Sequence, residues 1–218
     1  MRTAAEPPAM TENTPAGSAP RRLVLASRSP RRRELLDRAG LAHEVIDTGI
    51  DDAELRPAAS VAPEWWVASL GYLKARAGAE AWAEKGPDAP AVVLGADTVC
   101  VAGDEVLGQP RDAADAARML ARFTGAPHRV LTGVALVWPG TGRRHLLVDA
   151  ATVRLGTLSE HEITSYLESG AWSGKAGGYN LSERLDAGWP ISYDGDPSTV
   201  MGLPLRRLSD PLREMMTA

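Results

Sequence analysis

"APAVVLGADTV", residues 89–99, is apolar for most of its length and turns polar only at Asp97 and Thr98. A continuous apolar run of this kind is what a strand buried on both faces requires, and such strands belong to sheets covered by helices. The flanking punctuation is that of alternating elements. "RRLVLAS" (21–27) reads as a short buried strand, followed by a helix that starts at Ser29 and Pro30 and stops at Gly40. "AHEVIDTGI" (42–50) alternates like a strand, and residues 63–85 form a long amphipathic helix loosened near Gly71. Residues 112–125 are a helix with Asp112 as N-cap; residues 128–155 are a hairpin turned at Pro-Gly-Thr-Gly. A helix over 158–170 opens on the capping-box pair Ser159 and Glu162. Glycine-rich loop follows, with short strands near 189–194 and 198–201, then a closing helix interrupted around Pro211. Strands alternating with helices, then a hairpin, predict an α/β fold with a mixed sheet.

Bulk properties narrow the function. The chain has 218 residues, of which 21–218 are read as one domain and 1–20, rich in Pro, Ala, Thr and Glu, as a disordered tail. The tail has no apolar core, so it is no secretory signal, and no run approaches the ~20 apolar residues of a membrane span. A cytoplasmic location and no membrane partner are expected. A net charge of −4 argues against nucleic acid as a partner, which calls for an extended basic surface. The lone cysteine, Cys100, closes an apolar run and is expected to be a small buried side chain. His43, His128, His145 and His161 lack the spacing of zinc ligands, and no G-x-S-x-G elbow is present.

Three segments carry chemistry. In "LVLASRSPRRRELL" (23–36) a strand delivers serines to a helix N-terminus, where unpaired amides and the helix dipole favour an anion. Ser27 and Ser29 add hydroxyls, and Arg31 and Arg32 add planar forks suited to phosphate oxygens. The alternative is a solvated helix face paired with Glu34 and Asp37. In "VLGADTV" (93–99), Asp97 lies at the carboxyl end of a buried strand, where open α/β sheets bind ligands; it is either a metal ligand or base, or a turn aspartate. In "SGKAGGYNL" (173–181), Lys175 lacks P-loop spacing but can reach a phosphate as a point charge, unless the segment is only a surface turn. Asp51, Asp52 and Glu54 could approach Asp97 and share a divalent cation, because Mg²⁺ needs few protein ligands.

These segments, with the lysine of "SLGYLKARA" and with "LGQPRDAADAARMLARFTGAPHRVLTGVAL" and "GDPSTVMGLPL", resemble the Maf family in order and spacing over roughly residues 22–212. That family of nucleoside triphosphate pyrophosphatases is related in fold to the inosine triphosphatases. The resemblance implies an elongated fold with two lobes around a deep cleft, often a homodimer. It also implies Mg²⁺- or Mn²⁺-dependent cleavage of a nucleoside triphosphate to monophosphate and pyrophosphate, a house-cleaning activity. Carried over, Asp97 matches the base and metal ligand, Asp52 falls at a second acidic metal ligand, and Lys74 matches the "KA" lysine. Ser27, Arg31 and Arg32 match the phosphate-binding turn and Lys175 the "KAG" lysine; Thr98 and Ser182 border the base. Gln109 stands where many members carry a lysine, Ser182 where members selective for dTTP and UTP carry glutamine, and Gly174 where an aspartate is usual. Arg31 matches the dTTP/UTP type rather than the tryptophan of the 7-methyl-GTP type. Gln109 keeps an alternative open: a catalytically weak nucleotide-binding regulator of cell division.

Overall fold

The computed structural model describes residues 21–50, 55–58, 60–86 and 89–217. The apolar run becomes β3 (Ala91–Ala102), at the centre of a seven-stranded mixed sheet. On one edge β3 pairs antiparallel with β5 (His128–Val137), which pairs with β6 (Arg144–Leu155), which pairs with β7 (Ile191–Asp194). On the other edge two strands share it. β1 (Arg22–Ala26) runs parallel, with β2 (Glu44–Ile46) beyond, and its register ends at Ala26 opposite Gly95. β4 (Glu105–Leu107) folds back antiparallel, and its register starts with Leu107 opposite Cys100. Residues 96–99 are thus left without a strand on that edge among the described residues. The polar turn expected at the end of this strand is instead its middle: pairing with β5 carries the backbone straight through Asp97 and Thr98.

One face of β3 is covered by α2 (Pro63–Glu84), an unbroken helix of 22 residues. Gly71 does not loosen it. A Cβ on Gly71 would stand 2.8 Å from the Gly133 carbonyl oxygen; one on Gly95, 2.3 Å from the Ala75 nitrogen; one on Gly133, 2.4 Å from the Val67 oxygen. Helix and sheet therefore touch backbone to backbone, and glycine is the residue that permits it. The opposite face carries two apolar clusters. Leu94 and Ala96 join Leu36 of α1 (Pro30–Arg38) and Leu208 and Leu212 of α7 (Leu205–Thr217). Cys100 and Ala102 join Met119 and Phe123 of α3 (Ala113–Phe123) and Tyr166 of α4 (Glu160–Glu168). Thr98 is the one residue of this face between the two clusters, so the apolar layer is interrupted at the open edge.

Local signals explain most boundaries. The Asp112 carboxylate accepts from the Asp115 amide at 2.7 Å, and the Ser159–Glu162 capping box is complete. Pro30 opens α1, but the Ser29 side chain makes no cap bond; the Ser29 amide donates to Ser27 Oγ at 3.2 Å instead. The strand expected at 198–201 is a helix, α6 (Pro197–Val200), because Asp196 accepts from the Ser198 amide (2.9 Å) and Pro197 follows as the first helical residue. The glycine-rich segment holds a 3₁₀ turn (Ala176–Gly178) and α5 (Leu181–Asp186), capped by Asn180. α7 continues through Pro211. No helix of the described residues is long and apolar enough to cross a membrane.

His128 is sealed in the second cluster. It stacks on Phe123 at 3.9 Å, its Nε2 lies 2.8 Å from the Tyr179 hydroxyl, and its Nδ1 has no partner among the described residues. Burial pushes its pKa down from 6.5 to about 4. The unfolded chain therefore takes up a proton that the fold resists, and the stability from neutral His128 is full above pH 6.5 and lost as pH falls toward 4.

Two outcomes are expected. Gly133→Ala should cost about 1–3 kcal/mol in denaturant unfolding, the scale of overpacking, and an unchanged midpoint would refute the backbone contact. Stability measured from pH 7 to pH 4 should fall more steeply in the wild type than in His128→Gln, by up to ~3 kcal/mol over the interval; parallel curves would remove His128 as the cause.

Candidate functional site

The close approach of α2 carries Lys74 to the open edge of β3. Its ammonium donates to Asp97 Oδ1 at 2.6 Å, with the two side chains only 15% and 12% exposed. Charges this withdrawn from water are stable only when paired and hydrogen-bonded. Asp97 shares the α2 face of β3 with Gly95, whereas Thr98 points to the other face, so two consecutive residues serve opposite sides of one strand.

On the Thr98 side, Arg32 is the organising group. It is buried; its Nε donates to the Gly202 carbonyl (2.9 Å), Nη1 to Ser27 Oγ (3.2 Å) and Nη2 to Thr98 Oγ1 (3.1 Å). The Thr132 hydroxyl gives its proton to the Thr199 carbonyl (2.7 Å), so in the 3.0 Å contact between the two threonines Thr98 is the donor. One guanidinium thus ties the β1–α1 turn to β3 and to the segment after α6. Three of the five guanidinium N–H groups make these bonds, so Arg32 positions Ser27 at the turn. Thr132 and Thr199 had no signal in the sequence, because their role appears only when β5 and α6 meet.

Arg31 reaches elsewhere. It is half-buried, and its Nη2 donates to the Gly174 carbonyl at 3.0 Å. Burial lowers its pKa, opposed by the nearby charge of Glu183 and by Tyr166. Next to Gly174, Lys175 is buried and ion-paired with Glu183. The loop between them is fixed at several points. The Gly177 amide donates to the Gly108 carbonyl (2.9 Å), and the Tyr166 hydroxyl donates to the Gly178 carbonyl (2.8 Å). Gly177 has φ +67°, and a Cβ there would stand 2.6 Å from Cys100 Sγ. Cys100 is indeed buried, and burial pushes its thiol up to about 12, far from a reactive thiolate. Ser182 donates to Asn180 Oδ1 at 2.8 Å, so its hydroxyl is engaged in the cap of α5. Gln109 is exposed, one residue after Gly108. Asp52, with Asp51 and Glu54, lies outside the described residues.

The structure therefore brings Lys74 and Asp97 into contact, joins Ser27, Arg32 and Thr98 in one network, and sets Arg31 beside the Lys175 loop. Among the described residues no group of three His, Cys, Asp or Glu side chains could hold a metal. A cavity of about 910 Å³ lies beside β4 and contains neither Asp97 nor Lys74; its Arg111 and Arg118 pair with Asp115, and its Arg129 with Glu64. The open edge of β3 instead gathers a carboxylate beside an ammonium, with a hydroxyl-rich helix turn at the end of β1.

Known proteins share this arrangement of sequence. A family model described as Maf-like protein matches residues 22–215, from β1 into α7. A dTTP/UTP pyrophosphatase of Salinibacter ruber is 42% identical over 192 residues, 88% of this chain and 89% of the relative. Those of Vibrio cholerae and Cupriavidus metallidurans are each 42% identical, over 84% and 88% of this chain and 92% and 96% of their own. With the match spanning the open edge of β3 and every element that frames it, the chain belongs to the Maf family.

Proposed function

We propose that the chain hydrolyses nucleoside triphosphates to the monophosphate and pyrophosphate. The observation that carries this reading is the Lys74–Asp97 pair at the unpaired edge of β3, where the β1–α1 turn ends. dTTP and UTP are the first substrates we assign, since the relatives bear those names and Arg31 is retained; Ser182 and Gln109 set this chain apart within that group. The role we attach is cytoplasmic house-cleaning, the removal of surplus or modified triphosphates.

The donor chemistry suits a hard divalent cation. Asp97 offers carboxylate oxygen at a site open on one side, and Mg²⁺ or Mn²⁺ needs only one or two carboxylates when phosphate oxygens and water complete the shell. Asp97 would hold it, with Asp52 as the second carboxylate that the family resemblance assigns. When bound, the cation supplies Lewis-acid polarisation of the phosphate.

The protein's own part is positioning and charge neutralisation, which phosphoryl chemistry chiefly demands. Lys74 orients the Asp97 carboxylate through the 2.6 Å bond. Asp97 accepts a proton from water as the water oxygen bonds to the α-phosphorus. The bond from that phosphorus to the bridging oxygen breaks, and pyrophosphate leaves with the electron pair. Ser27 and the first-turn amides of α1 receive phosphate oxygens, with Arg31 and Lys175 on the other side. The segment around Ser182 borders the base, while Thr98, expected there as well, has its hydroxyl engaged by Arg32 and Thr132.

Asp97→Asn preserves shape and removes the base. It should fold normally by circular dichroism and lose ~10²-fold or more in kcat, with products identified as monophosphate plus pyrophosphate. A folded Asp97→Asn enzyme with near-normal turnover would overturn the assignment. Gln109 favours one second reading, a weakly hydrolysing nucleotide-binding regulator of cell division. If that holds, Gln109→Lys should raise a feeble wild-type kcat at least ~10-fold, the scale of one well-placed cation; a brisk wild type left unchanged by it discards the regulator.

A further inference from the structure

Lys175 is the phosphate-binding lysine of the proposed site, yet in this structure its partner is a carboxylate of the same chain. The pair is unequal in exposure: the Lys175 side chain is 10% accessible and that of Glu183 is 42%. The cation is fixed and the anion is the member that can turn to water. Arg31, the other cation assigned to phosphate on this side, is anchored to Gly174 beside Lys175 and feels the charge of Glu183 as well. A carboxylate thus sits with the two cations meant for phosphate. Nothing else in α5 depends on it, because Asn180 Oδ1 caps the helix through the backbone amide of residue 183 (3.0 Å) and not through its side chain.

We infer that Glu183 is an internal competitor for the phosphate subsite, and that this enzyme takes its substrate by exchanging one anion for another. The inference rests on the proposed triphosphate site and adds a specificity residue to it. A buried ammonium is costly without a counter-charge. Glu183 supplies that charge in the free protein and yields it to a phosphate oxygen on binding. Ligands must therefore carry enough charge to displace it, which selects for polyphosphate tails over neutral nucleosides. The returning carboxylate also competes with departing pyrophosphate and so favours product release.

The test uses inorganic pyrophosphate, with Mg²⁺ present, on the full chain by titration calorimetry and thermal shift. Glu183→Gln keeps the side-chain shape and removes the charge. Its Kd for pyrophosphate should be roughly tenfold lower than the wild-type value, with the KM for a triphosphate falling in parallel. A nucleoside without phosphates should bind both proteins alike. Without ligand, Glu183→Gln should melt lower, since Lys175 loses its partner, and pyrophosphate should raise its Tm by more than it raises that of the wild type. Should Glu183→Gln fail to fold, Glu183→Asp shortens the reach of the competing anion and should show the same direction of change. Pyrophosphate binding equal to or weaker than wild type in the variant that folds overturns the exchange and leaves the pyrophosphatase reading standing. Tighter binding without any triphosphate hydrolysis by the wild type upholds the exchange and removes that reading.

Discussion

The contact on which the rest depends is the backbone-to-backbone approach of α2 to β3 and β5 at Gly71, Gly95 and Gly133. An ordinary helix-on-sheet packing keeps a layer of side chains between the two. Glycine removes that layer locally, between the side chains packed on either side, and Lys74, one residue before the contact at Ala75, then meets Asp97 on the same face of the strand. The register adds the second condition. β1 pairs with β3 as far as Gly95 and β4 pairs with it from Cys100, so among the described residues no strand covers this edge at Asp97. A helix held close and an edge left open are both backbone properties, and together they make a polar site in a strand otherwise buried along its length.

The second constraint is the placing of charge in poorly solvated positions. Lys74, Asp97, Arg32 and Lys175 are all largely withdrawn from water, and each is met by a specific partner. Breaking one side of such a pair commonly costs about 3–5 kcal/mol, so a site of this kind is organised before substrate arrives. The partners divide by kind. Arg32 is held by neutral acceptors, Gly202, Ser27 and Thr98. Lys175 is held by a half-exposed anion. The first arrangement fixes geometry; the second can be exchanged.

How much of this was legible in the sequence depended on range. Capping at Asp112 and Ser159 acts over three residues and is legible locally, as is the hairpin, whereas the core strand runs on past the polar turn expected at Asp97. Asp196–Pro197 is an equally local helix signal, and it overrides the short strand expected at 198–201. Glycine weakens a helix in isolation, which is why Gly71 suggests a loosened one, whereas its worth here lies in a surface more than sixty residues away in the chain, at Gly133. Asp97, Lys74, Ser27 and Lys175 could be singled out from motif and residue type. The Arg32 network and Glu183 could not: the acceptors around Arg32 come from the β1–α1 turn, β3 and the segment after α6, which only the fold assembles.

The alternation of β3 explains why these two kinds of information separate so cleanly. Asp97 and Thr98 are neighbours in the chain and face opposite sides of the sheet. Asp97 looks toward α2, where a carboxylate and an ammonium can act on a ligand at the open edge. Thr98 looks into the interval between two apolar clusters, where its hydroxyl is fixed by Arg32 and Thr132. That interval matters as much as the acid. Were residue 98 apolar, the two clusters would merge, and the Arg32 guanidinium would lose one acceptor inside the layer it now divides. The turn bearing Ser27 would then lose part of its support. The "DT" pair is therefore one device with two faces: on one side a carboxylate held against an ammonium, and on the other a polar wedge that ties the β1–α1 turn to β3 through Arg32.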